Sequence, residues 1–91
     1  MENTTMNTEL LEVKHKAENF RSNHTKLNDT SSIKISYTST NKDGLQLLII
    51  QVIKDNKLLD QQVVGKWAEG NQKINTIREM LENDLKIYPN R

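Results

Sequence analysis

The fold is decided by the stretch at residues 33–64, which reads IKISYTSTNKDGLQLLIIQVIKDNKLLDQQVV. Its first part alternates apolar and polar side chains from Ile33 to Thr38, which is typical of a strand with one buried face. Asp43-Gly44 and Asp55-Asn56 are two-residue turn signals that divide the stretch into three segments. The stretch therefore predicts three antiparallel strands, with residues 45–54 in the middle.

Apolar residues at helical spacing lie on each side of this stretch. A helix over about 8–22 is predicted by the set Leu10, Val13, Ala17 and Phe20. A polar loop is expected at 23–31, where side chains that compete with the backbone for hydrogen bonds dominate. A second helix, starting at Gly70-Asn71 and stopped by Pro89, is predicted by the set Ile74, Ile77, Leu81, Leu85 and Tyr88.

These elements predict one α+β domain over residues 1–91. The order is α-β-β-β-α, with a three-stranded antiparallel sheet and two helices on one of its faces. Ninety-one residues leave no room for a second core. Residues 1–7 and 89–91 are expected to be flexible tips.

The two tight turns also predict a strand register. They place Tyr37 opposite Ile50, Val52 opposite Leu59, and Leu48 opposite Val63. The helices should cover the face that carries these residues. The opposite face then exposes five large aliphatic side chains: Leu45, Leu47, Ile49, Ile53 and Leu58.

A contiguous apolar group on an open sheet usually marks a surface for a partner. We therefore expect this face, or the edge beside it, to meet another protein or a second copy of the chain. The alternative is that a β-bulge or a longer turn shifts the register and buries some of these side chains. Trp67, between the last strand and the last helix, either anchors a partner or closes the core.

The sequence gives no sign of catalysis, and we expect neither a cofactor nor a metal. There is no cysteine, and His15 and His24 lack the spacing that places two imidazoles on one metal. Three glycines form no phosphate-binding loop. A formal charge of +1 supplies no long-range attraction to nucleic acid or to an anionic membrane. With no signal peptide and no apolar run that could span a bilayer, the expected location is the cytoplasm.

The order helix, three antiparallel strands, helix resembles the double-stranded RNA-binding domain over roughly residues 8–88. The Tyr37 strand, the turn ending in Gly44, the long central strand and a last strand running through Gly65 lie in comparable places. The resemblance implies a duplex RNA-binding module that grips phosphates with lysines at the start of the second helix. Here the matching stretch, residues 71–75, carries Lys73 alone, and domains of this shape without the lysines are expected to bind proteins.

Two functions follow from these observations. The first is a small non-catalytic module that blocks a surface of a larger host protein or ribonucleoprotein. The small size and a composition rich in Lys, Asn and Ile, which have A/T-rich codons, suggest a phage or mobile-element inhibitor such as an anti-CRISPR protein. The alternative is a divergent RNA-binding module that would use Lys42, Lys66, Lys73 and Arg78.

Overall fold

The computed structural model describes the backbone at residues 2–25 and 33–90 and the side chains at 8–24 and 33–90. The elements are α1 (Glu2–Thr25), β1 (Ile33–Lys42), β2 (Leu45–Lys54), β3 (Lys57–Ala68), α2 (Lys73–Asp84) and β4 (Tyr88–Pro89). The predicted α+β order is confirmed, and a short fourth strand is added to it. The sheet has the order β3-β2-β1-β4.

Helix α1 extends beyond its predicted bounds of 8–22 at both ends. Residues 23–25, which were expected to begin a loop, continue the helix. The remainder of that predicted loop, 26–31, lies outside the described residues. The predicted stripe is confirmed, because Val13, Ala17 and Phe20 are buried and Leu10 packs against them.

The turn chemistry predicted the pairing of β1 with β2 correctly. Asp43, Gly44, Asp55 and Asn56 all have positive φ, between 52° and 77°. Such backbone angles at both central residues are those of the hairpin turns that match the twist of antiparallel strands. Tyr37 therefore lies opposite Ile50, as expected.

The predicted register of β3 against β2 is wrong. Val52 lies opposite Asp60 and Leu48 opposite Gly65, because the register shifts at two places along the pair. Each shift inserts one extra residue in β3, Leu59 at the first and Val64 at the second.

The two shifts change which β3 side chains reach the core. Val64 is 1% exposed and fills the position expected for Val63. Val63 is 46% exposed and Leu59 50% exposed, so neither belongs to the core. The β-bulge named in the predicted alternative therefore occurs in β3. It does not bury any of Leu45, Leu47, Ile49, Ile53 or Leu58, as that alternative expected.

The core lies between the two helices and one face of the sheet. Leu48, Ile50 and Val52 of the central strand are fully buried there. Ile74, Ile77 and Leu81 cover them from α2, as their spacing predicted. The Tyr37 hydroxyl donates to Glu82 Oε2 at 2.6 Å, which ties α2 to β1.

Helix α2 ends at Asp84, earlier than predicted, and Tyr88 is not part of its stripe. Lys86 takes a positive φ of 58°, and the Ile87 N–H donates to the Leu81 carbonyl at 2.9 Å. This reversal buries Ile87 in the core and turns the chain back along β1. Tyr88 and Pro89 then pair with β1 in parallel as β4. No helix in the described ranges is long and apolar enough to cross a bilayer.

Candidate protein-binding surface

The side of the sheet away from α1 and α2, here called the outer face, carries the predicted aliphatic residues. Leu45, Leu47, Ile49 and Ile53 alternate along β2 with the buried Leu48, Ile50 and Val52, so they project from the opposite side. All four are half-buried, and none belongs to the core cluster.

Strand β3 contributes two further aliphatic side chains to this face. Leu58, opposite Ile53, is 52% exposed, and Val63 lies directly opposite Ile49. Val63 was not predicted here, because only the register shift in β3 turns it outward. We call the combined set the apolar patch: Leu45, Leu47, Ile49, Ile53, Leu58 and Val63.

A band of polar side chains crosses the outer face between Ile49 and Ile53. The Asn90 side-chain amide donates to Gln51 Oε1 at 2.9 Å, and Gln51 Nε2 donates to Gln61 Oε1 at 3.3 Å. Ser36, on the neighbouring strand, is fully buried at this level, and its hydroxyl has no hydrogen-bond partner among the described residues. These hydrogen bonds hold the polar side chains in the middle of the face in place. The larger part of the apolar patch lies on one side of this band.

Trp67 lies on the other side of the sheet from the apolar patch. It is opposite Gln46 and packs, half-buried, against the core. Its ring covers Gly65, where an added Cβ would come within 2.0 Å of the indole Cη2. The structure therefore separates Trp67, a possible partner anchor, from the five aliphatic residues that were predicted to meet a partner.

The four basic residues predicted for RNA binding do not form one surface. Lys42 and Lys66 are exposed on the outer face, opposite Leu45 and Leu47. Lys73 and Arg78 belong to α2, on the helix side.

Both α2 cations have partners within the fold. The Lys73 ammonium lies 3.1 Å and 3.3 Å from the two carboxylate oxygens of Glu9. The Arg78 guanidinium donates to Ser39 Oγ at 2.5 Å. These contacts engage two of the four cations that the RNA-binding alternative would use.

The histidines occupy different environments. His15 is exposed, whereas the His24 ring lies 4.8 Å from the Phe20 ring, and its Nε2 is 3.1 Å from Asp60 Oδ2. In the described part of the chain, no group of three or more His, Asp or Glu residues is arranged to hold a metal ion.

Comparison with family models, curated proteins and solved structures finds no match to this chain. The order of the elements is compatible with that of the double-stranded RNA-binding domain. The likeness is limited to the order of the elements, to which this structure adds β4.

Proposed function

We propose that this protein is a non-catalytic protein-binding module that docks through the outer face of its sheet. The observation that carries the proposal is the apolar patch, which lies on the side of the sheet that neither helix covers. The larger part of the patch, which lies on one side of the polar band, consists of the neighbouring residues Leu45, Leu47, Ile49 and Val63. Contiguous exposed apolar surface of this kind is a feature of protein interfaces. A partner that covers the patch would remove it from water and gain roughly 25 cal/mol for each Å² of apolar area buried.

The polar band supports the same role. Interfaces usually combine an apolar centre with hydrogen-bonding groups that fix orientation. Because Gln51 is already bonded to Asn90 and Gln61, its amide is held in one orientation before any partner arrives. A pre-ordered surface loses less conformational entropy on binding.

A more specific form of the proposal is an inhibitor, encoded by a phage or mobile element, that occupies a surface of a larger host protein or ribonucleoprotein. An anti-CRISPR protein is one example of this class. Its support is the small size of the chain and its A/T-biased composition. This form predicts that the captured partner loses its own activity when the chain is bound.

RNA binding is the less favoured function. Of the four residues it would use, Lys73 and Arg78 are engaged by Glu9 and Ser39, and the other two lie on the opposite side of the sheet. Duplex RNA is recognised through spaced contacts to phosphates and 2′-hydroxyls on one surface. Retention on immobilised duplex RNA that is lost in Lys73→Gln would favour RNA over protein.

Photo-crosslinking tests the protein-binding proposal directly. A photoreactive phenylalanine at Leu47 should capture a discrete host protein from lysate, whereas the same probe at Leu11 should not. Leu11 is the matched control because it is 56% exposed and lies on α1. Equal capture from both positions, or capture that survives Ile49→Ser, would contradict docking through the outer face.

A further inference from the structure

The outer face carries positive charge as well as aliphatic side chains. Lys34, Lys42 and Lys66 are exposed on it, opposite Ile53, Leu45 and Leu47. The three lysines therefore flank the central strand, with Lys42 and Lys66 near one end of the apolar patch and Lys34 near the other.

No carboxylate balances these lysines on the outer face of the four described strands. Asp60, the one acidic residue within the strands, turns to the helix side, where it meets His24. Asp43 and Asp55 lie in the hairpin turns at the two ends of the sheet. Because the whole chain has a formal charge of only +1, the other residues of the sequence are together net negative.

This charge distribution argues against a second copy as the occupant. Packing two such faces together would bring six lysines into one interface without an outward-facing strand carboxylate to pair with them. Like charges that are brought together and removed from water oppose association.

The shape of the face argues against a membrane. The β2 aliphatics lie in the middle of the sheet and are half-buried between their neighbours. They do not protrude as the apolar side of an interfacial helix does, which sinks about 5–10 Å into the headgroup boundary. A partner must instead bring its own protruding side chains to them.

We infer that the occupant is an acidic amphipathic helix of a partner protein, with its apolar stripe on the apolar patch and its carboxylates at Lys34, Lys42 and Lys66. This inference rests on the proposed function and specifies the chemistry of the partner. The outward residues of β2 from Leu45 to Ile53 span about 26 Å, which corresponds to about 17 residues of helix. Helices already pack on the other face of the same sheet, so the complex would have a helical layer on each side.

Two synthetic helical peptides of about 18 residues test the inference. Both carry the same leucine stripe, and the polar positions are glutamate in one and lysine in the other. Titrated into the isotope-labelled full chain, the glutamate peptide should shift the amide resonances of Leu47 and Ile49 and bind at least about tenfold more tightly than the lysine peptide. Its affinity should fall as salt is added.

Charge-removal variants separate this inference from the proposed function. Replacing Lys34, Lys42 and Lys66 together with Gln should lower the affinity for the glutamate peptide by about tenfold or more. The control replaces three exposed lysines away from the face, Lys16, Lys57 and Lys86, and should leave its affinity unchanged.

Several results would overturn the inference. They are binding of neither peptide, equal binding of both, or stronger binding to phosphatidylglycerol vesicles or duplex RNA than to the glutamate peptide. If crosslinking from Leu47 still captures a partner in that case, the proposed function stands and only the acidic helix is wrong. If crosslinking fails but the glutamate peptide binds, the outer face does recognise an acidic amphipathic helix. The proposal that it captures a host protein is then wrong.

Discussion

The two faces of β2 carry almost the same side chains in opposite surroundings. Leu48 and Ile50 point toward the helices and are completely buried, whereas their neighbours Leu47 and Ile49 point away and remain half-exposed. Because adjacent residues in one strand share backbone environment and residue type, substitutions on the two faces can test stability separately from the proposed binding. We expect substitutions on the helix side to change folding and those on the outer face to change association.

The largest effect is expected from comparing Ile50→Ala with Ile49→Ala. Ile50 is fully buried, so its truncation should lower the free energy of unfolding by about 3 kcal/mol, whereas Ile49→Ala should cost about 1 kcal/mol or less. Urea unfolding followed by circular dichroism measures both. Equal losses would mean that the two faces are equally buried in solution and would remove the basis for a docking surface.

Gly65→Ala should have the next largest effect. The new methyl group would meet the Trp67 ring, so the indole must move away from the core at a cost of about 2 kcal/mol. The Trp67 emission maximum should shift to longer wavelength at the same time. Lys66→Ala, next in sequence but exposed, should change neither quantity, and an unshifted emission in Gly65→Ala would show that the ring does not lie over this glycine.

Val64→Ala and Val63→Ala test the register shift that distinguishes β3 from a regular strand. Truncating the buried Val64 should cost about 1.5 kcal/mol. Truncating the exposed Val63 should stay within about 0.5 kcal/mol. The reverse order would mean that β3 pairs without the shift, as the turn signal alone predicted.

The double variant Leu47→Ser with Ile49→Ser should have only a small effect on folding. Both side chains lie outside the core cluster, so unfolding should become easier by only about 1 kcal/mol, mainly through lower strand propensity. The same variant should also fail to bind the partner that the wild-type chain captures through its outer face. A pull-down that compares the variant with the wild-type chain measures this loss. A double variant that fails to fold would place these residues in the core.

The sequence was sufficient where local chemistry determines geometry. The Asp43-Gly44 turn determined the β1–β2 register, and the alternation along β2 identified Leu45, Leu47 and Ile49 as outward-facing. Both inferences depend only on turn angles and on the two-residue period of a strand.

The rest depended on tertiary contacts. Val63 and Val64 are identical neighbours, so no local signal tells which of them enters the core. In the structure Val64 is the buried one; it packs in the core with the helices, and Trp67 packs over the adjacent Gly65. The end of α2 was missed because Lys86 adopts the positive φ at which glycine is usual. The polar band requires Asn90, which reaches Gln51 only after β4 has paired with β1.

The irregularity of β3 also affects how neighbouring molecules can meet. This strand forms one edge of the sheet. A regular edge strand with unpaired backbone groups can pair with a strand of another chain and so extend the sheet. Two inserted residues and a glycine interrupt that edge. The protein can thus expose an apolar sheet face while its β3 edge resists the strand addition that leads to fibrils.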